Sequence, residues 1–507
     1  MKRIKAKLIE RRKRRIQRRL ADSGSADRGS PMIAGGNVRY ELAKKAGGTA
    51  VGGMAAVHAF VQKVGLPEAI DRHLKIFRRH APYHESDHVL NLAYNALCGA
   101  AAIQDIEMRR NDEHFLNSIG AERIPDPTTS GDFCRRFEEA HIDQLFQAID
   151  EVRVQVWKQQ DSEFFDEAVV DMDGTIVGTS GECKAGMDLS YKNIWGYHPL
   201  VVTLANTGEV LRLINRGGNS HSARGASVQA NQAIELCRSA GFRRVKLRGD
   251  TAFTQSAALD GWDEEGVSFV FGIAAHPNLV GIAEDAAETD WQPLSRKPKR
   301  DPAKTRRTRP ENAKLKVVHE RGYQNRRLNS ESFIEVPYQP QKCKKTFRLV
   351  VIRKKVDVTK QGRLFEEYKY FFYLSNLSRE SHTSADIIGE SNQRCDQENV
   401  ISQLGQCRAL HAPVDNLTSN WAYMVMTSLS WTLKAWIGLS IPVDGRWKEK
   451  HREERKRVIR MEHRTFVDHF IRIPAQVVRG ARRLTVRLLS LTEDLHVFNR
   501  WLRYALE

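Results

Sequence analysis

The sequence predicts a mixed α/β protein, with a sheet-based core interrupted by a β-rich insertion and flanked on both sides by helical regions. Three observations predict it. A β-branched apolar run, Val169 to Val177, carries two aspartates and is followed by further short apolar runs and one amphipathic helix. A polar stretch rich in Lys, Arg and Pro, Glu284 to about Asn329, then gives way to three more strand-like segments. Before residue 160 and after residue 384 the apolar residues recur at helical spacing instead.

Composition narrows the class. A chain of 507 residues has room for roughly two to four domains. Its 41% hydrophobic and 28% charged content describe a folded globular protein. No apolar run approaches the roughly 20 residues needed to cross a bilayer. The segment Ala422 to Ile441 is interrupted by Ser, Thr and Lys434 and reads as a buried helix. The basic N-terminus has no apolar stretch behind it, so no secretory signal is expected. Cys98, Cys134, Cys183, Cys237, Cys343, Cys395 and Cys407 form no C-x-x-C pair; reduced thiols used for packing are expected, and no zinc module. A formal charge of +18 calls for a polyanionic partner, most simply nucleic acid.

The elements follow in order. Residues 1–36 read as a basic arm, Lys2 to Arg19, and a Gly/Ser-rich linker. Such an arm suits non-specific phosphate contact. Residues 37–160 read as a helical DNA-binding region, with Ala55, Val57, Phe60, Val61, Val64 and Leu66, then Val89, Leu92, Ala93 and Leu97, at helical spacing. Pro127 to Phe137 is a capped turn leading into a helix with two arginines. It is similar to the end of a small DNA-binding module, but a helix cap with surface arginines is the more common explanation.

Residues 161–283 contain the acid-bearing strand, strands at Leu200–Leu204 and Val210–Ile214, a helix at Ser227–Ala240, and strands at Arg244–Leu247 and Val267–Ile273. Strand–strand–strand–helix–strand is the order of an RNase H-like core. Residues 284–378 form the basic, β-rich insertion, expected as an inserted subdomain with strands at Ser332–Val336, Thr346–Arg353 and Tyr368–Leu374. Residues 379–440 return to the core, and 441–507 read as a basic helical region, arginine-rich from Arg446 to Arg487.

The period of a strand places Asp171 and Asp173 on one face. Two carboxylates in an otherwise apolar strand are costly unless paired, and a hard cation such as Mg²⁺ is a natural partner. An edge strand with solvated acids is the plainer account.

Two families share this motif. The run with D-x-D-G-T resembles the opening of haloacid dehalogenase-type phosphatases, which implies Asp171 as nucleophile and Asp173 as general acid/base. Gly249-Asp250 fits that family's later G-D-x-x-x-D, but Thr254 stands where its last acid belongs, and some 170 residues precede the motif.

The second resemblance covers far more. From Asp173 through Gly196-Tyr197-His198-Pro199-Leu200, Arg216-Gly217-Gly218-Asn219, Leu247 to Phe253 and Leu374-Ser375-Asn376-Leu377 to Arg394 through Ile401, the chain resembles a DDE transposase. The resemblance points to the IS1380 family of bacterial insertion sequences, within the IS4-like class, and extends to Asn416–Leu433 and Ile473–Arg487 as C-terminal helices. The class signature Y-x2-R-x3-E-x6-K is kept at Arg394 and Glu398 but has Ser391 and Gly405 in place of tyrosine and lysine.

The resemblance implies a catalytic, metal-binding triad of Asp173, Asp250 and Glu398, holding Mg²⁺ (with Mn²⁺ as substitute). Two such ions about 3.5–4 Å apart serve in-line phosphoryl transfer. Asp173 is preferred over Asp171 because Gly174-Thr175 follows it, and Asp171 then supports the ligands or the fold. Arg394, one turn before Glu398, contacts either a phosphate or Glu398 itself. Arg248, Arg216 and Lys192 are further candidates for DNA contact or support of the site. His198 is expected to position its loop, and Trp195 to cap the core in preference to stacking on a base. The implied partners are double-stranded DNA, as terminal inverted repeats and target, and a second copy of the chain. The implied location is the bacterial cytoplasm, at the nucleoid. A descendant that binds DNA without cutting it is the rival from outside enzymology.

Overall fold

The computed structural model describes residues 47–80, 82–296, 325–360, 363–480, 483–490 and 492–506, together with residues 10, 11, 14, 17 and 18. Most of the basic arm, the Gly/Ser linker and the basic run after Arg296 lie outside the described residues. The chain forms two compact units. One comprises residues 1–160, 181–185 and 403–507; the other comprises 161–180 and 186–402.

The first unit is mainly helical. Its longest helix is Leu417–Leu439, in which nearly every side chain is shielded, and which packs against the Glu85–Leu97, Glu139–Trp157 and Lys448–Arg460 helices. The Pro127–Arg135 helix starts with Asp126, whose side chain accepts from the Thr129 amide at 2.8 Å, and with proline at its first position, where no amide hydrogen is needed. Arg135 pairs with Asp132 and Asp415 at 2.7 and 3.1 Å, and the Arg136 guanidinium lies 5.4 Å from the Phe77 ring centre. Both arginines therefore have partners within the unit.

The C-terminal region departs from the expected all-helical form. Ala475–Arg479 and Leu484–Leu488 make an antiparallel hairpin, with Gln476 opposite Arg487. Pro474 disfavours a helix just before it, and Leu484, Val486 and Leu488 alternate with polar residues at strand period. The cysteine expectation also needs amending: Cys183 and Cys395 are exposed, whereas the other five are buried.

The second unit is built on one mixed sheet. Its strands are β1 (Ala168–Gly174), β2 (Leu200–Leu204), β3 (Glu209–Ile214), β4 (Val245–Gly249), β5 (Ser268–Ile273), β6 (Asn325–Tyr338), β7 (Phe347–Lys360) and β8 (Arg363–Ser375). The spatial order is β3-β2-β1-β4-β5-β8-β7-β6, with Gln292–Pro293 beyond β6. β1, β2 and β3 are antiparallel neighbours, while β4 and β5 join β1 in parallel. A parallel return needs a crossover, and the Ala226–Ala240 helix supplies it.

The three long strands do not make a separate subdomain. β8 pairs with β5 from Phe372 opposite Ile273 to Ser375 opposite Val270, so the insertion extends the core sheet. Without β8 the β5 edge would expose a row of unpaired backbone groups. Val270, Val350 and Ile352 from this junction pack with Leu377, Ile387 and Ile388. Burying each such side chain stabilises by roughly 1.5–3 kcal/mol, which fastens the Ser384–Gln393 helix to the sheet. That helix opens with a reciprocal cap, in which Asp386 accepts from the Thr383 amide at 2.9 Å and Thr383 accepts from the Asp386 amide at 3.2 Å. Arg394 follows it, and then the Cys395–Gln406 helix.

Candidate active site

Asp171 and Asp173 project toward the same helical segment but meet different partners. Asp171 is 1% exposed and accepts two parallel bonds from Arg248, at 2.7 Å from Nε and 2.8 Å from Nη2. Register explains the pairing, since Asp171 and Arg248 are directly opposed on β1 and β4. Arg248 Nη1 also reaches Glu390 at 3.2 Å and Gln393 at 3.3 Å. Lys246 continues the network to Glu390 and Glu167, at 3.3 and 2.9 Å. Burial works against the Arg248 charge, but the Asp171 bonds and the Glu390 charge outweigh it and hold its pKa above the ordinary value.

Asp173 is half-buried near the end of β1. Its Oδ1 accepts from the Gly174 amide at 2.7 Å, and its Oδ2 lies 3.3 Å from Arg394 Nη1. Burial, followed by the charge of Asp250, raises its carboxyl pKa to about 6; Glu398 adds to the rise, while Arg394 and the Gly174 amide oppose it. A half-buried acid whose ionisation is opposed by acids from other elements marks a functional-site candidate.

Asp250 stands immediately after β4, where its side chain accepts from the Ala252 amide at 2.8 Å and closes a turn. Glu398 is exposed on the Cys395–Gln406 helix, 3.6 Å from Arg394 Nη2. The arginine thus bridges Asp173 and Glu398. The residue between Arg394 and Glu398 that anchors the helix is one to which the sequence reading assigned no role. Gln397 is buried, accepts from the Thr203 hydroxyl and donates to the Val201 carbonyl at 3.2 Å. A polar residue next to an exposed acid was the available signal. Its meaning depends on β2 being underneath.

The remaining candidates separate. Arg216 is buried and holds loop carbonyls: Nε donates to His198 O at 2.8 Å, and Nη1 to Ser222 O and Arg224 O at 2.8 and 2.7 Å. Burial and the Arg224 charge lower its pKa to about 10. His198 is buried and bonded through Nδ1 to the Ser220 carbonyl at 2.9 Å. Lys192 is exposed beside Tyr191. Trp195 corrects the expectation of a core cap, being 55% exposed, because it lies on a three-stranded sheet of two- and three-residue strands whose turn projects into solvent.

The donor set suits a hard divalent cation, since Asp173, Asp250 and Glu398 offer only carboxylate oxygen. Among the described residues, however, no three ligating side chains already surround one point. The positive charge between Asp173 and Glu398 is the Arg394 guanidinium.

The chain belongs to the family described as transposase DDE domain, group 1, whose model matches residues 42–505. It is therefore a DDE transposase, an enzyme acting on DNA, and DDE domains generally use divalent metals. Among solved structures it is similar to the piggyBac transposase synaptic complex with hairpin DNA, seen by cryo-EM, at 12% identity over 84% of this chain and 83% of that one, with a TM-score of 0.36. No curated protein matches the chain.

Membership removes the phosphatase reading, and the geometry supplies a physical reason. Asp171, the nucleophile that reading requires, is enclosed in its ion pair with Arg248. The Thr254 hydroxyl is bonded to the Gly272 carbonyl.

Proposed function

We propose that the protein cleaves DNA at the ends of a mobile element and joins the freed 3′-hydroxyls to target DNA, with Asp173, Asp250 and Glu398 as its catalytic triad. The observation that carries this reading is geometric: Arg394 spans Asp173 on β1 and Glu398 on the following helix, at 3.3 and 3.6 Å, and Asp250 ends β4, the strand paired with β1. Mg²⁺, or Mn²⁺ in its place, would be held by these three carboxylates and would supply activation of the attacking oxygen and stabilisation of the leaving one. Asp173 offers a carboxylate already partly withdrawn from water. Arg394 neutralises Asp173 and Glu398 when no other cation does, and turning outward it can meet a DNA phosphate. Gln397 seats the helix that carries Glu398 on β2. Arg248 maintains the strand pairing beneath Asp173 through Asp171.

The order of the motifs supports the IS1380 group of bacterial insertion sequences as the chain's closer kin, with action in the cytoplasm at the nucleoid. Its substrates are terminal inverted repeats and target duplex, brought together by a homodimer. The basic arm of residues 1–36, the helical region 37–160, the insertion 284–378 and the C-terminal region 441–507 then grip DNA around a core of 161–283 and 379–440.

The test is cleavage of a duplex carrying the flanking ends of the element, in Mg²⁺, by the parent and by Asp173→Asn, Asp250→Asn and Glu398→Gln. Cleavage by the parent, lost at least about a thousandfold in each variant while duplex binding persists, is the expected result. Duplex binding without cleavage by the parent would instead make it a DNA-binding descendant.

A further inference from the structure

The Glu85–Leu97 helix is buried on nearly every side, yet it carries two asparagines one turn apart, Asn91 and Asn95, which are only 7% and 6% exposed. Buried amides are normally hydrogen-bonded at both ends. Asn91 Nδ2 donates to Pro125 O at 2.9 Å and to Ser130 Oγ at 3.1 Å. Asn95 Nδ2 donates to Ala102 O at 3.0 Å, which fixes the orientation of its amide. Asn95 Oδ1 is left buried, with no hydrogen-bond partner among the described residues.

A donor in the same position faces the same space. Arg109 directs Nη1 to Asp105 O at 3.2 Å and Nη2 to Cys98 O at 3.4 Å, while its Nε is buried and has no partner among the described residues. Asn95 and Arg109 line one cavity of about 80 Å³. A single water needs roughly 10–15 Å³, so the space takes a larger group. Its apolar walls are Leu90, Ile106, Phe115 and Ile124, all buried.

The rest of the polar lining is already engaged. His58 Nδ1 and the Tyr94 hydroxyl share a hydrogen bond at 3.0 Å, and His58 Nε2 lies 3.4 Å from Gln62 Nε2. Burial holds the His58 pKa below its ordinary value, so this wall is uncharged at neutral pH. The charges around the cavity are of both signs, with Asp87 set against Arg109 and Arg123.

These features select a ligand chemistry. Arg109 Nε requires an acceptor and Asn95 Oδ1 requires a donor. A carboxylate satisfies the first and is repelled by the second; an ammonium does the reverse. A neutral group with a donor beside an acceptor satisfies both, and apolar walls suit a small ring. The edge of a cyclic lactam, N–H next to C=O, has this pattern. We propose that the cavity binds a small neutral lactam of pyridone size, its carbonyl accepting from Arg109 Nε and its N–H donating to Asn95 Oδ1. The site lies wholly within the helical unit and does not depend on the DNA-cleaving function.

The full chain is titrated with a fluorinated α-pyridone, followed by fluorine NMR. Saturable binding at about 1 mM or tighter is expected, at least about tenfold tighter than for fluorobenzoate or fluorobenzene. Arg109→Met and Asn95→Leu should each weaken it by at least about fivefold, as the loss of a hydrogen bond in a buried site requires. Both substitutions also remove bonds that hold the fold. Ala121→Leu, on the cavity wall, instead narrows the space and leaves both polar groups in place. It should abolish binding while circular dichroism and the thermal midpoint stay those of the parent. No saturable binding by the parent would overturn the proposal and leave the cavity to water. Equal affinity for fluorobenzene, or affinity unchanged in all three variants, would overturn it as well, whatever the outcome for DNA cleavage.

Discussion

Asp171 and Asp173 differ by two positions on one strand, and their surroundings send them to different tasks. The Arg248 fork takes up both oxygens of Asp171, whereas Asp173 faces two other acids and a single guanidinium nitrogen at 3.3 Å. Removing one member of a buried pair strands the other charge, at a typical cost of about 3–5 kcal/mol. Arg248→Ala should therefore lower unfolding stability by that amount in urea titrations. The double variant Asp171→Leu with Arg248→Met, which buries no unpaired charge at this point, should recover most of the loss. If the single variant were as stable as the parent, Asp171 would have to be carrying a proton in the native protein.

At the scale of elements, the Leu417–Leu439 helix contains a lysine in its buried surface. Lys434 Nζ donates to Ile459 O and Met461 O at 2.6 and 2.7 Å, closing the end of the Lys448–Arg460 helix, and lies 3.6 Å from the Trp431 ring centre. Burial lowers its pKa from 10.5 to about 7. Between those values the unfolded chain binds a proton that the folded chain releases, so this group makes stability rise with pH from about 7 to 10.5 and contributes no further pH dependence below about 7, where both states are protonated. The expected result is that parent stability rises relative to Lys434→Met from pH 7 to 10, by up to about 1.4 kcal/mol per pH unit. Denaturant melts of both proteins at several pH values measure it, and parallel pH profiles would contradict it. The sequence marked this helix as buried but could not show which carbonyls Lys434 meets.

For the whole molecule, the excess of basic residues is the property that bears on DNA. Each phosphate neutralised contributes a slope of about −0.9 in log affinity against log salt. Duplex binding by this +18 chain should therefore weaken steeply with salt. Deleting residues 2–19 should make the slope shallower and lower affinity for every duplex alike, because phosphate contacts carry no sequence information. Anisotropy titrations across a salt series would show it; an unchanged slope would remove the arm from the interface. No helix among the described residues is long and apolar enough to cross a membrane.

Periodicity, charge and motif order were sufficient to locate the acid-bearing strand, the order of the five core strands, the crossover helix, a buried helix (expected over Ala422 to Ile441, found at Leu417–Leu439) and a nucleic-acid partner, because these are local patterns or sums over the chain. Tertiary structure alone decided what depends on residues distant in sequence. β8 completes the edge of β5 in the same sheet; Pro474 and the alternating residues after it turn a supposed helix into a hairpin. Gln397 seats the Glu398 helix on β2, and Arg394 bridges Asp173 and Glu398. The period of a strand puts Asp171 and Asp173 on one face. Only the opposing β4 register, which sets Arg248 against Asp171, separates a paired structural carboxylate from one left to face other acids.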